Sequence, residues 1–83
     1  MSTRTTNRLN QQTELDIVKF AGAMAARLTE KQERYGTARA GSALSREQIT
    51  ERLHRSISDE GPIDPVNVAN FAMMLWVWSR EHT

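Results

Sequence analysis

The chain has no cysteine, which excludes disulfides, thiolate metal sites and cysteine nucleophiles together. The same absence fits a reducing compartment. Histidine is scarce: only His54 and His82 occur, and with no second histidine or cysteine at metal-ligand spacing, His54 reads as a surface helix residue. An excess of charge of one sign is missing as well. Eleven basic residues face ten acidic ones, so there is no strong field to draw in nucleic acid. The longest apolar run, Phe71 to Trp78, is far short of the roughly 20 residues that span a bilayer. The opening MSTRTTNRLNQQ lacks the apolar segment of a secretory signal. A soluble, cytoplasmic protein without a membrane partner is the expectation.

Eighty-three residues make one domain at most, and a chain of this size buries only about 60–65% of its unfolded surface. Stability is therefore marginal, and with disulfides excluded the remaining source of help is association with other copies.

What is present is helical periodicity. Residues 1–12 read as a flexible polar leader, and residues 13–83 as a single helical domain. Thr13 is placed to cap a first helix with Asp16 near its positive end. Ile17, Phe20, Ala21, Met24 and Leu28 then recur at helical spacing. Glu30 and Arg34 are suited to an i,i+4 pair, and Gly36 stops the helix after Tyr35. The small residues of Thr37–Ala43 form a linker. Ser45 and Gln48 predict a capping box for a second helix whose narrow apolar stripe is Ile49, Leu53 and Ile57. Gly61-Pro62 forces a turn. Asp64 as N-cap and Pro65 at the first helical position open a third helix reaching about Arg80. The spacing thus predicts an all-α fold of three main helices, with no alternating strand pattern and no internal repeat.

The third helix is apolar on nearly every side. Its polar stripe is only Asn67 and Asn70, continued by Met74. Two amphipathic neighbours cannot cover Phe71, Met74, Trp76 and Trp78 together, and a wet patch of that kind marks an interface. The expectation is a small bundle completed by self-association, with those four residues at the oligomer interface.

A nucleic-acid role fits poorly. The second helix mixes acids among its arginines, an acidic DEGPID turn follows, and the third helix is too greasy to read a groove. Arg4 and Arg8 in the leader are too few to change that.

VANFAMM (Val68–Met74) resembles the last helix of small phage-encoded all-α nucleotide pyrophosphohydrolases of the MazG type. FAGAMAARLTEKQERYG (Phe20–Gly36) is similar to the opening helix of that family, and ERLHRSISDE (Glu51–Glu60) to its middle, acid-bearing helix. The resemblance spans about residues 17–78, and its specific part is the third-helix motif. It implies a helical scaffold on which four carboxylates, arranged ExxE and ExxD, hold magnesium that activates water to cut a nucleoside triphosphate between its α and β phosphates. Here the first pair falls on Ser56 and Asp59, and the second on Asp64 and Asn67. Two of the four acids are replaced by neutral groups, which weakens a magnesium site that needs hard anionic oxygens. Arg34 corresponds to a basic residue before the turn, Thr37 stands where the family has tryptophan, and Asn70 matches an asparagine beside the substrate.

Asp59 and Asp64 remain as the candidate magnesium ligands, although Asp64 is also explained by capping and Asp59 by an exposed turn. A site without its full metal set still suits a phosphorylated ligand. Arg34, Arg52 and Arg55 would hold phosphate, Asn67 and Asn70 a base or ribose edge, and Tyr35 an aromatic platform. Solvated arginines paired with Glu47 and Glu51 are the plain alternative. The leading expectation is a phage-type helical oligomer that binds a nucleotide or nucleotide-derived signal without hydrolysing it, one use being to sequester a host defence signal, with no catalytic residue assigned. Two further readings stay open: a magnesium-dependent nucleoside triphosphate pyrophosphohydrolase, and an interaction module that inhibits a host protein.

Overall fold

The structure, a computed structural model, describes residues 8–36, 38–58 and 61–82, with Tyr35 described in its backbone only. Three helices are present and, among the described residues, no strand: α1 (Gln11–Tyr35), α2 (Arg46–Ser58) and α3 (Pro65–Glu81). The fold is all-α, as the periodicity predicts. No helix among the described residues is long and apolar enough to cross a membrane.

Each helix begins where a side chain satisfies its orphan N–H groups. For α1 that residue is Asn10, two residues before the end of the expected leader. Its Oδ1 accepts from the N–H of Gln12 at 2.8 Å and of Thr13 at 3.2 Å. The helix therefore starts at Gln11 and not after Thr13; asparagine is among the strongest N-caps, and a leader read as uniformly polar hides that. The remaining leader residues 1–7 lie outside the described residues. Gly36, at φ 100°, ends α1 by donating its N–H to Gln32 O. The capping box of α2 forms as expected, with Gln48 N–H donating to Ser45 Oγ at 3.1 Å and Ser45 N–H to Gln48 Oε1 at 2.9 Å. Asp64 caps α3 ahead of Pro65. Glu30 and Arg34 do not join; among the described residues the ion pairs are Arg27–Asp64, Arg39–Glu81 and Glu51–Arg55.

The central element is α3. Both α1 and α2 pack on it, and they do not pack on one another. The contact is lopsided, because α1 is 25 residues long but every residue from Gln11 to Ala23 is exposed. About 20 Å of helix, at 1.5 Å per residue, thus projects past the bundle, and the molecule measures 47 × 33 × 27 Å. Among the described residues Ile49 is the only fully buried apolar side chain, at 1% exposure. Leu15, Ile17, Val18 and Phe20 on the projecting half stay between 41% and 67% exposed.

The polar stripe of α3 faces inward. Asp64, Asn67, Asn70, Phe71 and Met74 share one helix face by their three- and four-residue spacing. Arg27 Nη1 on α1 donates to Asp64 Oδ2 at 2.7 Å, and Asn70 Nδ2 donates to Met24 O at 3.4 Å. Asn70 is 3% exposed. Of the four expected interface residues, three have partners within the chain. Met74 touches Gly41, where an added Cβ would lie 3.0 Å from Met74 Cγ. Phe71 is half-buried beneath the Lys31 ammonium, 5.8 Å from its ring centroid. Trp78 stacks on His82 with centroids 3.9 Å apart. Trp76 stays open at 58% exposure, with the Arg80 guanidinium 4.7 Å from its ring centroid.

Candidate functional site

The predicted ligand residues are partly assembled. Arg52 and Arg55, one helical turn apart on α2, line a cleft with Ser56, Asn67 and Phe71 where α2 meets α3. Its volume is about 180 Å³, below the roughly 300–1,000 Å³ of pockets that enclose a whole small molecule. It suits the phosphoryl end of a ligand, with the remainder outside. Arg55 Nη2 lies 3.3 Å from Glu51 Oε2, which leaves most of the five guanidinium N–H donors unspent. Arg52 has no ion-pair partner among the described residues. Phe71 completes the lining.

The other predicted residues stand apart. Asn70 shares a helix face with Asn67 but lies behind it, turned to α1; its Oδ1 is buried without a hydrogen-bond partner. Arg34 does not line the cleft. The Tyr35 side chain and Asp59 fall outside the described residues.

Asp64 is occupied by two structural tasks. Its Oδ1 accepts from the backbone N–H of Val66 and Asn67, and its Oδ2 from Arg27. The Arg27 hydrogen bond holds the Asp64 carboxyl below its ordinary value; partial burial opposes this, and the capping N–H groups and the Arg27 charge add to it. The same hydrogen bond, with the carboxylate charge, raises the Arg27 guanidinium. Magnesium prefers carboxylates with near-octahedral freedom. The donors described where the resemblance places the acids are Ser56, whose hydroxyl donates to Leu53 O at 2.6 Å, the engaged Asp64, and Asn67. That set does not fit a magnesium centre. No three His, Asp or Glu side chains converge among the described residues.

Sequence reasoning missed Arg27. Its only local signal is a basic residue amid small ones in AGAMAARL, and its partner lies 37 residues away. Comparison with protein-family models, curated proteins and solved structures returned no match.

Proposed function

We propose that this protein binds a phosphate-bearing ligand of the nucleotide class in the cleft between α2 and α3 without hydrolysing it, and that it works as a self-associated assembly. One observation carries the ligand reading: two arginines converge with two neutral side chains, Ser56 and Asn67, at the positions where the MazG resemblance would place acids. Exchanging carboxylates for neutral groups beside guanidinium ions turns a cation site toward anions. In a phage setting the host cytoplasm is where such a protein would act, and holding a nucleotide-derived defence signal is the use this chemistry suits.

Self-association is supported by the projecting half of α1. An isolated helix of 12–15 residues is marginal in water, and here Leu15, Ile17, Val18 and Phe20 line one without cover. A second copy offers the same surface, as a two-fold interface requires. This moves the expected interface from α3 to α1.

Thermal shift with nucleoside mono-, di- and triphosphates and cyclic dinucleotides, with and without magnesium, tests the ligand reading. Stabilisation without metal that Arg52→Ala or Arg55→Ala weakens about tenfold is the expected result. Pyrophosphate release that needs magnesium would replace binding by the pyrophosphohydrolase reading. An absence of any shift would leave the second reading, an interaction module for a host protein, which the uncovered half of α1 favours. Sedimentation checks the assembly: a mass that is a multiple of 9.4 kDa, falling to one chain on Val18→Ser, is expected. Full dissociation by Trp76→Ser with no effect of Val18→Ser would return the interface to α3.

A further inference from the structure

The connection from α1 to α2 borders an open cavity. It is built of turns, with Ser42 N–H donating to Arg39 O at 3.0 Å and Leu44 N–H to Gly41 O at 3.1 Å. Gly41, at φ 78°, brings the backbone down onto Met74, so the loop is pinned to α3. Its inner wall carries the small residues Ala38, Ala40, Gly41 and Ala43. What remains between loop and helix is an open cavity of about 500 Å³, within the range of small-molecule sites.

Its walls have a definite chemistry. Leu28, Leu44 and Met74 give an apolar floor. Among the described residues the charged side chains lining it are Lys31 and Arg39, and no carboxylate lines it. Arg39 Nη1 is engaged by Glu81 Oε2, whereas the Lys31 ammonium lies 5.8 Å from the Phe71 ring centroid and has no carboxylate partner among the described residues.

We propose that this cavity is a binding site for a small aromatic anion: one or two fused rings against Leu28, Leu44 and Met74, with a single carboxylate or comparable anionic group at Lys31. Rings suit a thioether floor, and the absence of acids fixes the sign of the ligand. The site is separate from the Arg52–Arg55 cleft and does not depend on it.

The test is a titration of the full chain with 2-naphthoate and with its neutral counterpart 2-naphthylmethanol, followed by amide chemical shifts. Saturable shifts at Leu28, Ala40, Leu44 and Met74 are expected. Lys31→Gln should weaken 2-naphthoate about fivefold and leave the alcohol unchanged, as loss of one exposed charge pair implies. Ala40→Leu, placed to fill the space, should abolish binding of both while raising the melting temperature. Shifts that fail to saturate, or that centre on Leu15–Phe20 or on Arg52–Arg55, would overturn the proposal. Equal weakening of acid and alcohol by Lys31→Gln would also overturn it, since Lys31 would then be structural.

Discussion

Asn70→Leu should stabilise this protein, although it removes a hydrogen bond. Asn70 is 3% exposed, and its two polar atoms have unequal fates. Nδ2 reaches Met24 O at 3.4 Å, at the outer edge of hydrogen-bond geometry and worth no more than about 0.5 kcal/mol net. Met24 O is not orphaned by the change, because within α1 it already accepts from the helical N–H four residues on. Oδ1 has no partner, and a buried unsatisfied acceptor costs about 1–3 kcal/mol. Leucine has the same number and branching of side-chain heavy atoms and adds apolar contact in place of the amide, while its bulkier methyl groups take back part of that gain. The balance is a gain of about 1–2 kcal/mol, or roughly 5–15 °C in Tm for a domain of this size. Urea titration followed by the fluorescence of Trp76 and Trp78 measures it, with a raised midpoint and an unchanged slope expected. Asn70→Ala is the control, since it removes the same amide and leaves a void, and it should destabilise. A lowered midpoint for Asn70→Leu would refute the reasoning, because it would mean that Oδ1 is satisfied in solution by water or a ligand.

Three further outcomes follow from the same packing. Asp64→Asn keeps an N-cap of equal quality but loses the Arg27 charge pair. The folded carboxyl lies below its ordinary value of 3.8, so its stabilisation is complete above that value and is lost as pH falls through the folded value; acid titration of the variant should lack this component. Ile49→Ala should cost about 2–5 kcal/mol, a large share of the roughly 5–15 kcal/mol available to small domains, and leave a protein that circular dichroism shows partly unfolded near 37 °C. Ser45→Ala should cost about 1 kcal/mol through loss of the α2 capping box, read as a lower urea midpoint with helical content intact.

The helix boundaries were legible because each is decided within a few residues. Ser45 with Gln48, Asp64 with Pro65, and Gly36 are local signals, and each terminates or starts a helix where expected. Asn10 was equally local and was missed because its neighbours are all polar. The facing of α3 was not legible. A helix apolar almost all round has no preferred side by pattern alone, and here its orientation follows a long-range ion pair, Arg27 with Asp64. Drawing Asp64 toward α1 carries Asn67, Asn70 and Met74 with it, because they occupy the same face. The site shows the same division. Arg52, Arg55 and Asn67 come together because each lies on a face that α2 and α3 share, while Arg34 sits on a helix whose position relative to α2 no local pattern specifies.

That α1 and α2 meet only through α3 has a consequence for biogenesis. As the nascent chain leaves the ribosome, the first two helices have nothing to dock on, and neither can settle before the segment after Pro65 has been made. Docking of α3 does not cover Leu15, Ile17, Val18 and Phe20, so the window in which chaperones and neighbouring nascent copies on the same message can reach them opens during synthesis and does not close when the chain folds.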